Sequence, residues 1–225
     1  KGWRNTSKPG ITTWELDKIG EEMIRSLGCT PNFLNYNGFP ASFCISLNDE
    51  VVHGIPSHSK VIQEGDLVKL MQSDIQRLSL RRRAYLCSGG SLTGSTTAYG
   101  CHKAEFFEGI KQAKAGNHLY DISAAIGDYA ESFGYGVVRD LVGHGIGTHL
   151  HEDPQIPNFR QHRRGLRLMP GMTLAIEPMI NIGRADVEFM DDDWTVVTQD
   201  GTLSAHYENT ILITDGEPEL LTLSK

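Results

Sequence analysis

Four short segments carry residues whose types and spacing could do chemistry. His144 lies in Val142-Gly143-His144-Gly145-Ile146-Gly147, and His151-Glu152-Asp153-Pro154 follows seven residues on. Glu177 closes the apolar run in Ala175-Ile176-Glu177-Pro178-Met179. Glu208 sits in Ser204-Ala205-His206-Tyr207-Glu208-Asn209-Thr210, ahead of a strand-like stretch from Ile211 to Thr214. A carboxylate at the end of an apolar run is costly unless it is paired or metal-bound. One imidazole with several carboxylates suits a hard or borderline divalent cation such as Mn, Fe, Co or Zn, and carboxylates can bridge two ions where thiolates select softer ones. The chemistry indicated is two-metal hydrolysis. The glycines flanking His144 are expected to let the backbone crowd a metal or substrate. Singly, each residue has an ordinary reading: His144 a loop histidine, Glu177 a salt-bridge partner, Glu208 a strand residue facing water. The ordered set favours the metal.

Such residues need elements to hold them, and the chain contains the same unit twice. Thr12-Thr13-Trp14-Glu15 is a capping-box pattern, after which Leu16, Ile19, Met23 and Leu27 recur at helical spacing until Gly28. Leu119 to Phe133 reads as a second helix, with Ile122, Ala125, Ile126 and Tyr129 on one side and Gly134 as its stop. Lys8 to Gly28 aligns on Lys114 to Gly134 without a gap, Gly116 falling 106 positions after Gly10. The offset returns where Glu64 to Met71 lies over Pro170 to Glu177, each a turn followed by an apolar run. A repeated helix and strand at constant spacing point to one domain of two similar halves, with a site where they converge.

Composition is consistent with that picture. At 225 residues and 39% hydrophobic, the chain can bury one sizeable core. A formal net charge of -7 gives no basic face for nucleic acid, and Arg160, His162, Arg163, Arg164 and Arg167 read as a solvated loop. Cysteines at 29, 44, 87 and 101 form no CxxC pair, which suggests a reducing compartment. No run is long enough to span a membrane. Lys1 to Gly10 lacks the order of a signal peptide and reads as the tail of a truncated element, so the natural start is expected upstream.

With these motifs in place, Asn35 to Pro56 (NYNGFPASFCISLNDEVVHGIP), Val142 to Pro157, Pro170 to Ile180, the DDWTV segment around Trp194 and SAHYENTILIT together make the chain resemble the type I methionine aminopeptidases over nearly its whole length. The resemblance implies an α+β pita-bread fold: a curved antiparallel sheet flanked by helices, with an internal pseudo-two-fold repeat. It implies a single catalytic domain over 1–225, with half-repeats at about 8–103 and 114–225 and the family's N-terminal helix truncated. His144, Glu177 and Glu208 become metal ligands. His53 and His151 become non-ligand histidines facing the substrate, and Tyr36, Phe39, Cys44, Leu150 and Trp194 line a pocket for a methionine side chain, as apolar walls suit a flexible thioether. The implied reaction is metal-hydroxide attack on the first peptide bond of a nascent chain, with two divalent ions (Co, Mn, Fe or Zn). His151 hydrogen-bonds the scissile carbonyl or its oxyanion, His53 contacts the backbone nitrogen region, and Glu177 shuttles the proton to the leaving amine. A cytoplasmic monomer is expected, acting on nascent N-termini, with the ribosome as a candidate partner and neither a membrane nor specific nucleic acid involved.

One segment departs from the family. The family uses five ligands, and the two absent here are aspartates of the first half. The internal offset places Met71 where a carboxylate belongs, and a hard dication would not choose a thioether. Met71 to Lys103 shows no strand alternation; the bland reading is a diverged basic, Ser/Gly-rich loop. Back-translation offers another. Reading Gln76 to Tyr85 from the second base yields GYHSDAAR, the family's second-aspartate motif, and the same phase over Gly94 to His102 yields EAQRLMDV, a family-like helix leading into Ala104-Glu105-Phe106-Phe107. The segment therefore reads as frameshifted relative to the family. If the shift lies only in the reported sequence, the protein carries all five ligands; if it lies in the gene, the chain lacks a central strand and two ligands. Asp74, the segment's one acidic residue, is not assigned as a ligand. Two competing functions follow: a catalytically impaired pita-bread protein that serves as a binding module, and a proline-directed or creatinase-like enzyme, against which the aromatic pocket argues.

Overall fold

The computed structural model describes residues 8–76, 79–88 and 103–223, the stretch 74–88 through its backbone alone. Arg77, Leu78 and the Gly94 to His102 part of the frameshift reading lie outside the described residues.

Helix α1 (Thr13–Ser26) begins where the capping box was read: the Thr12 hydroxyl accepts the Glu15 N–H at 3.1 Å, and the Glu15 carboxylate accepts the Thr12 N–H at 2.9 Å. Such a cap contributes about 1 kcal/mol. Helix α2 (Leu119–Ser132) has the same 14-residue length and starts 106 positions later. Beyond the two helices Gly28 and Gly134 take φ of 71° and 78°, the left-handed geometry that lets a chain leave a helix without a Cβ clash. The buried stripes are rotated from those expected. In α1 the stripe is Thr13, Leu16, Asp17, Gly20 and Ile24, with Ile19 and Met23 half-buried and Leu27 exposed as the C-cap; in α2, Ala125 and Tyr129 are half-buried shoulders. Small residues mark the lines of closest approach. A Cβ on Gly127 would lie 2.8 Å from the Phe159 Cα.

The strands are β1 (Thr30–Pro31), β2 (Cys44–Leu47), β3 (Glu50–Val52), β4 (Leu67–Gln76), β5 (Ser79–Ser88), β6 (Gly136–Val137), β7 (Gly143–Gly145), β8 (Glu152–Ile156) and β9 (Thr173–Ile176). There follow β10 (Met179–Asn181), β11 (Val187–Phe189), β12 (Val196–Thr198), β13 (Ser204–His206), β14 (Asn209–Leu212) and β15 (Glu219–Leu220). The main sheet runs β1-β4-β5-β14-β9-β7-β8, with β2 also on β4 and β15 on β14; two three-stranded sheets, β13-β10-β6 and β11-β12-β3, complete it. The described pairings are antiparallel. At the centre β5 meets β14, so β2-β4-β5 on one side answers β7-β9-β14 on the other. The offset also governs the cores: Leu16, Ile62, Val68 and Leu70 pack under α1, and Ile122, Leu168, Leu174 and Ile176, each 106 positions on, pack under α2.

Strand alternation then decides what faces the other way. In β4, Val68 and Leu70 join the helix side, which leaves Lys69 and Met71 to the opposite face; in β9, Leu174 and Ile176 do the same for Ala175 and Glu177. Residues 79–88 correct two expectations, the loop and the missing strand. They form a full strand in a ten-pair ladder with β4, from Leu67↔Ser88 to Gln76↔Ser79. Ladder hydrogen bonds use main-chain groups, so a slot between β4 and β14 can be filled by a sequence that lacks alternation.

Candidate active site

The ligand candidates sit where strands change sheets. β9 and β14 pair in the main sheet, Asn209 opposite Ile176, and their continuations β10 and β13 pair in a smaller sheet, Met179 opposite His206. Glu177 and Glu208 occupy the two bends between, held together by the Tyr207 N–H donating to the Pro178 carbonyl at 3.2 Å. The Asn158 amide donates to the Glu177 carbonyl at 3.1 Å. His144 comes from the neighbouring strand β7, opposite Ala175. One side-chain atom from each of His144, Glu177 and Glu208 lies within 4.8 Å of the others, and all three residues are buried.

Flanking glycines make this approach possible. A Cβ on Gly143 would lie 2.4 Å from the Ala175 carbonyl oxygen, and one on Gly145 only 2.2 Å from that of Asp153. They let β7 fit between the backbones of β8 and β9.

The His144 Nδ1 donates to the Gly145 carbonyl at 2.7 Å, which turns Nε2 towards Glu177 Oε1, 3.5 Å away. A cation held there would be shared by the imidazole nitrogen and the carboxylate. His206, in β13 and 2% exposed, lies 3.3 Å by Nε2 from Glu177 Oε2 and 3.9 Å from Glu208 Oε2. It is the residue that sequence reasoning left without a role; its place two residues before Glu208 on a strand was the available signal. One imidazole and two carboxylates, with a side open to the cleft, match the three-ligand pattern of a catalytic divalent ion. For a second ion the described residues offer no comparable set: Met71, on β4, packs with Phe39, Cys44 and Ala175 in an apolar cluster.

A cleft of about 530 Å³ opens over this group, lined by His53, His144, His151, Glu177, Asp153 and neighbours. Beside it lies a smaller pocket of about 270 Å³, walled by Phe33, Tyr36, Asn37, Phe39, Cys44, Met71, Leu150 and Trp194, with His53 and His151 common to both. All five residues expected to line the side-chain pocket are therefore brought together. Phe33, Asn37 and Met71 are additions that only long-range packing reveals. Phe39 and Trp194 meet edge to face at 5.1 Å, and the rings of His53 and Trp194 at 6.3 Å. His53 holds φ 57°, which turns the chain at the pocket edge. His151 lies with its ring 4.4 Å from that of His144, in a loop where Glu152 accepts the His149 N–H at 2.7 Å; that bond holds the Glu152 carboxyl below its usual range.

Fold and site together define a metallopeptidase. A protein-family model described as Metallopeptidase family M24 matches residues 3–215, and the chain belongs to that family. Among curated relatives, a methionine aminopeptidase of Clostridium acetobutylicum is 48% identical over 96% of this chain and 87% of its own, and methionine aminopeptidase 1 of Bacillus subtilis is 43% identical over 96% and 87%. The crystal structure of methionine aminopeptidase from Rickettsia prowazekii superposes with a TM-score of 0.95 at 37% identity, covering 98% of this chain and 89% of that one. The fold is thus the α+β pita-bread fold expected from the resemblance. Xaa-Pro dipeptidase from Bacillus anthracis, at 23% identity and a TM-score of 0.78 over 98% of this chain and 55% of that one, shares the fold alone. No helix among the described residues is long and apolar enough to cross a membrane.

Proposed function

We propose that this chain is a metal-dependent aminopeptidase that removes the N-terminal methionine of nascent polypeptides. The observation that best supports it is the juxtaposition of a buried His144-Glu177-Glu208 donor set with an apolar, aromatic-walled pocket of about 270 Å³. A thioether side chain suits such walls. His144, Glu177 and Glu208 would hold a divalent cation, which supplies Lewis acidity and lowers the pKa of water. The chain's own residues do the rest. Phe39, Trp194, Leu150 and Cys44 enclose the methionine side chain, His151 donates to the scissile carbonyl oxygen, His53 contacts the backbone nitrogen region, and the Glu177 carboxylate carries the proton to the leaving amine.

The family's second ion, from Co, Mn, Fe or Zn, would need the two aspartates of the shifted frame, and we propose that Met71 to Lys103 is such a shifted reading. The rival reading, an impaired pita-bread binding module, rests on Met71 alone, and the relatives matched along the chain are methionine aminopeptidases. A cytoplasmic monomer that meets nascent N-termini at the ribosome is the setting this reading implies. Metal analysis with hydrolysis of a Met-Ala-Ser peptide tests it: release of methionine and at least one bound dication per chain are expected, both lost in Glu177→Gln. Fewer than one bound dication together with no cleavage refutes the enzyme reading for this chain. Resequencing codons 70 to 104, with intact mass, tests the frame; an in-phase gene encoding these residues ends the frameshift proposal.

A further inference from the structure

We propose that Tyr36 is a positioning residue, fixing the ring proton of His151 on Nε2 so that this nitrogen can donate into the cleft. The inference rests on the reading of His151 as the donor to the scissile carbonyl.

The Tyr36 hydroxyl lies 2.7 Å from His151 Nδ1, and the two rings are 5.5 Å apart. The contact bridges 115 residues of chain and joins the first half of the molecule to the second across the pocket mouth. Tyr36 is held for it by a short 3-10 turn, Tyr36–Gly38, closed by Tyr36 N–H to Phe33 O and Phe39 N–H to Tyr36 O, each 2.9 Å. Asn35 and Asn37 take φ of 66° and 49°, left-handed geometry that asparagine tolerates better than most residues. A neutral imidazole carries one proton, and a phenol can donate or accept. With the phenol donating to Nδ1, that nitrogen is an acceptor, the proton resides on Nε2, and Nε2–H can hydrogen-bond a carbonyl oxygen. The opposite polarity would present a lone pair to the carbonyl and repel it.

The metal-free protein labelled with 15N-histidine reads this directly. Two-bond 1H–15N spectra of the neutral imidazoles, with His151→Gln to assign the signals, are expected to show Nε2 protonated and Nδ1 bare, and Tyr36→Phe is expected to move His151 towards a tautomer mixture. A protonated Nδ1 in the unmutated chain, or a pattern unchanged by Tyr36→Phe, overturns the proposal. In turnover of Met-Ala-Ser, Tyr36→Phe should lower kcat about 5-fold, the worth of one hydrogen bond, with KM nearly unchanged. In the His151→Gln background it should do nothing further, and an equal loss there would reduce Tyr36 to a wall residue. Absence of cleavage by the unmutated chain would count against the aminopeptidase reading alone, and the spectra would still decide on Tyr36.

Discussion

Lys69→Met gives a sharp test of how β4 is tied to the strand leading into Glu208. Lys69 is buried, and its Nζ donates to the carbonyls of Asn48 and Ser204, each at 2.7 Å. Burial pushes its amine from an ordinary 10.5 down to about 7, against the opposing pull of Glu50 and Asp49. Below pH 7 the amine is charged in folded and unfolded chains alike. Between about 7 and 10.5 the unfolded chain keeps a proton that the folded one has released, so this residue makes stability rise with pH through that window and level off above it. At about 1.4 kcal/mol per pH unit, the gain from pH 7 to pH 9 is on the order of 2–3 kcal/mol. Lys69→Met removes that slope and leaves two buried carbonyls short of a donor, costing about 1–3 kcal/mol for each. Urea melts of both proteins at pH 6, 7 and 9 measure the effect, since the other titrating groups are common and cancel in the difference. The gap should widen by the stated amount from pH 7 to pH 9. Parallel pH dependences would refute the reasoning.

Two further outcomes follow from the site. Gly145→Ala should destabilise the protein by about 3 kcal/mol or more, because its Cβ would meet rigid backbone at Asp153 and force β7 from β8, moving His144 with it; thermal melts and bound-metal analysis check both effects. Trp194→Ala removes the ring packed on Phe39 and His53 while leaving the three ligand candidates untouched, so KM for Met-Ala-Ser should rise about tenfold or more with metal content unchanged. A KM that stays put would mean that Trp194 does not bound the occupied pocket.

Much of the fold was legible because it is written locally and twice. The capping box at Thr12, the glycine stops at 28 and 134, and the 106-residue offset are short-range patterns, and the two 14-residue helices obey them. The exact buried stripes were not, since the way a helix rotates on a sheet depends on which small residues, such as Gly127, allow close approach. The strand at 79–88 was illegible for a related reason: its place is set by the partners on either side, β4 and β14, rather than by alternation of its own.

For the site, residue type and order alone singled out His144, Glu177 and Glu208 as candidates for one chemistry, because a buried carboxylate at a strand end demands compensation wherever it lies. What only the tertiary structure decided is geometry. The sheet-changing bends set the carboxylates side by side, the strand pairing of β7 turns His144 Nε2 towards them, His206 closes on both from β13, and Tyr36 arrives from a position that no local pattern marks. Distances between residues more than a hundred positions apart depend on how sheets bend and pair, and that is a property of the packed whole.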